Sequence, residues 1–429
     1  MNFVSDLRLW QSEALTAWEG NGRRGIIAAA TGTGKTRLAI EALRQVVADG
    51  GRATIVVPTR ILQDQWLREL RSAHVVPSRR IGTIGGSAPD PNPDHLVIVA
   101  VIDSARTGSR SLMKHWNELG IPTLLVVDEC HWAGSEYNRG VFEGDARWRL
   151  GLSATPERGD DGFDEVLEPE LGGIVYRYSL KDAMDDGVLA DLRMLNLIID
   201  LSRSELDEYQ RLERRLDQLK SDLARRKPEL FVHEDWTAEV AVAAKTDPLA
   251  KRLTALVGER RRMLARSSGR FTMVKSLVEA GEFSDRKTIV FNETIEQAEH
   301  VADLVRQAAV SVVVDHSKMS QRDRQASQDR FRGGGADCLV VVKAADEGLD
   351  VPDADQALIT SGTLNPRQRI QRIGRVVRVG GKRPRAISLL AQRTTEEFLV
   401  AGRDLELLGV ERVRTIAVSG GELPPLWWD

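Results

Sequence analysis

Ala30-Thr31-Gly32-Thr33-Gly34-Lys35-Thr36 is the stretch on which the reading of this chain turns. It follows the apolar run Gly25 to Ala30 and precedes RLAIEALRQVV (37–47), whose apolar residues recur at helical spacing. Strand, glycine-rich loop and helix in that order make a phosphate-binding loop. Thr31, Gly32, Thr33 and Gly34 supply backbone N–H groups at a helix N-terminus, Lys35 neutralises the β-phosphate, and the Thr36 hydroxyl goes to Mg2+. ATP and Mg2+ are the cofactors this loop predicts.

Moving outward, Leu124-Leu125-Val126-Val127-Asp128-Glu129-Cys130-His131 is an apolar strand ending in paired carboxylates. Asp128 is placed to hold Mg2+ through water, and Glu129 to orient and deprotonate an attacking water. His131, two residues after Glu129, is placed to link hydrolysis to the second half of the chain. Gly151-Leu152-Ser153-Ala154-Thr155-Pro156 follows another apolar strand, where Ser153 and Thr155 suit a hydrogen-bonded relay. Far downstream, Gln371-Arg372-Ile373-Gly374-Arg375-Val376-Val377-Arg378 sets arginines at helical spacing. Arg375 and Arg378 are positioned to stabilise charge on a transferring γ-phosphate.

The surrounding pattern predicts an α/β chain. Gly25 to Ala30, Thr54 to Pro58, His95 to Ile102, Thr123 to Val127 and Trp148 to Leu152 are short buried-type strands alternating with helical stretches. The theme restarts with Thr288 to Phe291, Val310 to Val314, Cys338 to Val342, Ala357 to Thr360 and Arg385 to Leu390. Such alternation implies parallel sheets covered on both faces. Four segments are expected: a first α/β domain over 1–201, a helical insert over 202–270, a second α/β domain over 271–415, and a flexible tail over 416–429, with its tryptophans docked on the surface. The insert carries 16 basic and 12 acidic residues between Arg203 and Arg270, a net of +4. Pro228, Pro248 and Gly258 are expected to divide it into two or three helices. Its exposed faces read as solvated, or as placing Arg260, Arg261, Arg262, Arg266 and Arg270 against a phosphate backbone.

Composition narrows the class. The 429 residues hold 42% hydrophobic and 29% charged residues, which suits two or three globular domains. Sixty basic against 63 acidic residues leave a net charge of −3, so any nucleic-acid binding must come from a local basic and polar surface. Two cysteines, Cys130 and Cys338, cannot build a zinc cluster and are expected as reduced thiols. The longest apolar runs are far short of a bilayer span, and MNFVSDLRLW has no signal pattern, so no membrane association and a cytoplasmic location are expected.

These motifs, in this order from Leu9 to about Leu390, resemble the superfamily 2 helicases and translocases of the DECH-box group, which have two tandem RecA-like domains. LVVVKAADEGLDVPDADQALITSGTLNPRQRIQRIGRVVR (339–378) is similar to the xeroderma pigmentosum group B branch and its bacterial relatives, including motors of the type III restriction kind. GLSATPERGDDGFDEVL (151–167), followed by YSLKDAMDDGVLADLRML (178–195), is similar too. The resemblance implies further roles. Arg8 and Gln11 match an adenine-sensing motif, Gln11 offering both donor and acceptor. Pro58, Thr59, Arg60 and Ser104 match contacts to the phosphates of a nucleic-acid strand. Asp346, Glu347, Gly348 and Asp350 match the motif that couples the second domain to nucleotide and strand, and Gln371 matches the glutamine that meets His131. Contacts to phosphate carry no base information, so sequence-independent binding is implied.

The implied activity is an ATP-driven motor on single-stranded or forked duplex DNA, with ATP between the two domains and movement from 3′ to 5′, in repair, recombination or defence. Val101 stands where many relatives have a threonine, and no Arg-Glu-Asp triplet tied to strand separation occurs, so translocation is expected over unwinding. As the chain starts close to the first motif, no N-terminal damage-recognition domain is expected. Two alternatives stay open: an RNA helicase or double-stranded RNA translocase, and the motor subunit of a nuclease or restriction assembly. With no long heptad repeat, a monomer is expected.

Overall fold

The computed structural model describes residues 7–85, 91–157, 160–232, 236–342, 354–361, 369, 373–374, 376, 383–397, 401–409, 411–423, 425–426 and 428. The chain divides into two compact units, Met1–Ala183 and Met184–Asp429.

In the first unit the chain runs α1 (Leu9–Gly20), β1 (Arg24–Ala29), α2 (Lys35–Ala48), β2 (Arg52–Val57), α3 (Arg60–Ala73), β3 (Ile81–Ile84), β4 (Val97–Val101), α4 (Ile102–Glu118), β5 (Thr123–Asp128), β6 (Trp148–Ser153), α5 (Glu168–Leu171) and β7 (Ile174–Tyr178). The strands form one seven-stranded parallel sheet in the order β3-β4-β2-β5-β6-β1-β7. Inner strands β2, β4 and β5 are buried almost end to end, which is why they read as uninterrupted apolar runs. Edge strands β3 and β7 are half-buried and carry no such run. Ile26, Val56, Ile98, Leu125 and Trp116 belong to the core that seats the helices on the sheet.

A short helix, α6 (Leu180–Asp185), leads into the second unit, which holds β8 (Arg193–Ile199), α7 (Arg203–Arg226), α8 (Trp236–Ala243), α9 (Pro248–Ala265), α10 (Ser268–Glu279), β9 (Thr288–Asn292), α11 (Ile295–Gln307), β10 (Val312–Asp315), α12 (Gln321–Arg332), β11 (Cys338–Val342), β12 (Gln356–Ile359), β13 (Arg385–Ala391), α13 (Ala401–Leu408) and β14 (Val413–Val418). Its sheet is again parallel and seven-stranded, ordered β10-β11-β9-β12-β13-β8-β14.

Four expectations change here. The segment 184–201, read with the first domain, belongs to the second: β8 pairs along its length with β13 and β14, far from it in sequence. The expected start of the tail at 416 falls inside β14, and the tail is anchored. The Trp428 indole is 8% exposed in the second core, its Nε1 donates to Glu282 at 3.1 Å, and the Arg385 guanidinium lies over its ring. Trp427 lies outside the described residues. In the insert, Pro228 follows the end of α7 and Pro248 opens α9, but Gly258 sits within α9. Helices α7, α8 and α9 share their own apolar core around Leu212, Leu216, Leu253 and Leu256.

The fourth change concerns the insert's arginines. Arg270 cannot touch a strand, because it is 0% exposed and all its partners are internal. It donates to the carbonyls of Leu264 (2.7 Å), Leu389 (2.7 Å) and Thr360, and it pairs with Glu396. Arg260 is largely covered and pairs with Glu213 on α7 at 2.7 Å.

Candidate nucleotide and nucleic-acid site

The candidate residues of the first unit gather along the carboxyl edge of its sheet, the place where open parallel sheets bind ligands. Register shows how. Ala28 of β1 lies opposite Ser153 of β6, Asp128 of β5 opposite Leu152, and Val57 of β2 opposite Val101 of β4. The loop after β1 (30–36), the acidic pair after β5, Ser153 to Thr155 after β6, Pro58 to Arg60 after β2 and Ser104 after β4 therefore leave one edge side by side.

The loop has the features a polyphosphate needs. Gly32 and Gly34 take φ of 81° and 101°, the left-handed region open to glycine, and a Cβ on Gly34 would sit 2.8 Å from the Gln11 amide. The Lys35 ammonium is buried on the carbonyls of Ala29 (2.9 Å) and Ala30 (3.4 Å), which are neutral acceptors. The Thr31 hydroxyl is buried with no hydrogen-bond partner. A cation on neutral acceptors, an unused hydroxyl and left-handed glycines fit Mg2+-bound phosphate groups. Thr36 stands beside Lys35 in the first turn of α2.

Arg8 and Gln11 support this loop from α1. Arg8 Nη1 donates to the Thr33 carbonyl at 3.0 Å, and Gln11 Nε2 to the Gly34 carbonyl at 3.0 Å, while Gln11 Oε1 accepts from the Arg8 backbone at 2.8 Å. Arg8 and Gln11 are thus wired to the 30–36 loop. The Gln11 amide uses two of its four hydrogen-bonding positions in doing so.

At the end of β5, one Asp128 oxygen accepts from the Glu129 backbone at 3.0 Å and the other from the Trp66 indole at 2.8 Å. Burial pushes the Asp128 carboxyl above the usual carboxylate range, against the opposing pull of Trp66, Lys35 and the Glu129 amide. Glu129 holds φ 48°, ψ 53°, a left-handed conformation that costs a glutamate on the order of 1–3 kcal/mol and turns its side chain off the strand line. His131 Nδ1 lies 3.5 Å from Glu129 Oε2 and 3.1 Å from the Ser153 hydroxyl, which also accepts from the Thr155 backbone at 3.1 Å. Glu129, His131, Ser153 and Thr155 are one connected network. By contrast, burial pushes the Cys130 and Cys338 thiols up, so both stay protonated and inert.

After β2, the Thr59 hydroxyl caps α3 by accepting from Leu62 N at 3.3 Å, and Arg60, exposed, begins the helix. Ser104 lies half-buried in the first turn of α4, against Gly85. Asp346, Glu347, Gly348, Asp350, Gln371, Arg375 and Arg378 lie outside the described residues. Trp66 is the contact that the sequence reading did not single out. Its signal was a tryptophan in the buried stripe Gln63, Trp66, Leu70 of a charged helix.

A model for the type III restriction enzyme res subunit matches residues 5–158, and one for the helicase conserved C-terminal domain matches 269–380. The chain is 31% identical over 395 residues to the DNA 3'-5' translocase XPB2 of Sulfurisphaera tokodaii, covering 91% of this chain and 83% of that one. It is 27% identical to a putative DNA 3'-5' helicase Rad25 of Halobacterium salinarum and 26% to the DNA 3'-5' helicase XPB of Kineococcus radiotolerans, covering 98% and 87% of this chain. The chain spans 60% and 58% of the length of those two relatives. Among solved structures, the Hef helicase domain of Pyrococcus furiosus matches with a TM-score of 0.57 at 19% identity, covering 91% of this chain and 96% of that one. Dbp5 of S. cerevisiae, bound to RNA and ADP BeF3, matches with 0.59 at 16%, covering 95% and 89%. Both have the same fold. With relatedness over nine-tenths of its length, two parallel RecA-like sheets, and a phosphate loop beside an acidic pair, the chain belongs to the XPB and Rad25 family of superfamily 2 DNA helicases and translocases, ATP-hydrolysing enzymes.

Proposed function

We propose that this chain is an ATP-driven translocase that moves along DNA from 3′ to 5′ without reading base sequence. The observation that carries the proposal is the single sheet edge on which the nucleotide loop, the acidic pair and the Pro58–Arg60 and Ser104 segments meet. The names borne by the relatives support the substrate and the polarity.

Placement and motif matches together support the following roles. Loop amides and Lys35 bind the phosphates, Thr36 and Asp128 hold the Mg2+, and Arg8 and Gln11 set the loop against the base. Bound Mg2+ neutralises charge between the phosphoryl groups. Glu129, turned out by its left-handed backbone, takes the proton of the attacking water. His131 holds that carboxylate, and Ser153 at the end of β6 passes its state to Thr155. Arg375 and Arg378 supply charge to the transferring phosphoryl group, and Gln371, Asp346, Glu347, Gly348 and Asp350 couple that step to movement, on the strength of the motifs they match. Pro58, Thr59, Arg60 and Ser104 grip phosphates of the strand, which gives sequence-independent affinity that weakens with salt.

The chain acts as a monomer in this reading, on single-stranded or forked DNA, with a nuclease as a candidate partner. Among the described residues no helix is long and apolar enough to cross a membrane. Displacement of streptavidin from biotinylated single strands tests the proposal. ATP-dependent release from a 5′ end and none from a 3′ end is the expected result; release from the 3′ end alone, or none from either, would contradict it.

A further inference from the structure

We propose that Trp66 is a positioning residue that fixes the Asp128 carboxylate and ties it to the helix whose first turn meets the nucleic-acid backbone. The inference rests on the reading of Asp128 as a holder of Mg2+.

Trp66 is 1% exposed and its indole N–H donates to Asp128 Oδ2 at 2.8 Å. That choice of acceptor is informative. Trp18, equally buried in the same unit, donates to a backbone carbonyl, that of Arg149, at 2.9 Å. The indole nitrogens of Trp10 and Trp116 are buried with no partner at all. Burial alone therefore does not force an indole here onto a carboxylate.

The same helix is fastened at a second point. Gln63, one turn before Trp66, donates from Nε2 to the carbonyls of Ile84 (3.1 Å) and Val99 (2.8 Å), on β3 and β4. From Arg60 to Trp66 the helix rises roughly 9 Å. Two buried side-chain anchors make that length of α3 a rigid bar with Thr59 and Arg60 at one end and the Asp128 carboxylate against its flank. A strand that engages the capped N-terminus acts on the orientation of Asp128, and Mg2+-nucleotide acts on the strand site by the same free energy. Partners that orient a metal ligand typically cost about 10–100-fold in metal affinity when removed.

Equilibrium binding of a fluorescent ADP analogue, titrated with Mg2+ with and without a mixed-sequence single-stranded oligodeoxynucleotide, tests this in W66F. The substitution keeps an aromatic ring and removes the N–H. The Mg2+ concentration for half-maximal binding is expected to rise about tenfold or more, binding in EDTA to stay as in wild type, and the tightening of Mg2+-ADP binding by the oligonucleotide to shrink. Wild-type Mg2+ dependence and wild-type coupling in W66F, with only lower thermal stability, would overturn the proposal and leave Trp66 a core aromatic. Wild-type protein whose ADP binding ignores Mg2+ would overturn the reading of Asp128 itself. Should W66F not fold, hydrogen exchange of wild-type peptides over 60–73 decides: slower exchange with Mg2+-ADP than with ADP in EDTA is expected, and identical exchange would overturn the proposal.

Discussion

Arg270 carries a charge with no access to water, and its donors end on Glu396 and on three carbonyls. Removing one member of such a pair strands the other, so Arg270→Met is expected to cost on the order of 3–5 kcal/mol. Chemical denaturation of the second unit measures it, and an unchanged midpoint would mean the pair contributes nothing. Nothing local in the sequence distinguishes Arg270 from Arg261 or Arg262, because its partners Thr360, Leu389 and Glu396 lie 90, 119 and 126 residues further on. Lys35 is the opposite case. Its role is legible because loop, lysine and helix are contiguous, and Lys35→Ala is expected to abolish binding of a fluorescent ADP analogue in equilibrium titration. Retained wild-type affinity would remove the lysine from the phosphate site. The left-handed backbone of Glu129 and the indole bond to Asp128 lie between these cases: Glu129 and Asp128 stood out, but their geometry and Trp66 did not.

Interior strands announced themselves because burial on both faces demands continuous apolar runs, as in VIVAV of β4. Edge strands β3, β7 and β14 are relieved of that demand on one side and passed unseen. β8 is buried and apolar, yet its partners are β13 and β14, so adjacency in sequence pointed to the wrong sheet. The turn before β8 is held by Asp191. Burial raises the Asp191 carboxyl, but Arg383, Arg412 and Arg193 outweigh it and keep it below the usual carboxylate range. A carboxyl lowered by folding gives stability that is complete above its ordinary value of about 4 and is lost as pH falls through the folded value. Melting temperature should therefore drop on acidification below about pH 4, and less steeply in Asp191→Asn; parallel curves would refute the linkage. The tail behaves as an element too. Trp428→Ala should destabilise the second unit by about 3 kcal/mol, whereas a tail free in solvent would lose nothing.

Both units repeat one construction, a seven-stranded parallel sheet, and in the first the chemistry stands on the carboxyl edge. The fold class could be read in advance, and nucleotide residues proposed, because each motif joins one strand end to the loop that follows it. The reach of the second unit, the anchored tail and the Trp66 link could not, since each depends on residues brought together only by folding. For the molecule as a motor, hydrolysis must answer to the track. Steady-state ATP hydrolysis, measured without nucleic acid and with single-stranded DNA, duplex DNA and RNA, addresses that directly, with Glu129→Gln as the blank. Strong stimulation by DNA that vanishes in Glu129→Gln is the predicted result. ATP turnover that no DNA accelerates, or that persists undiminished in Glu129→Gln, would contradict it.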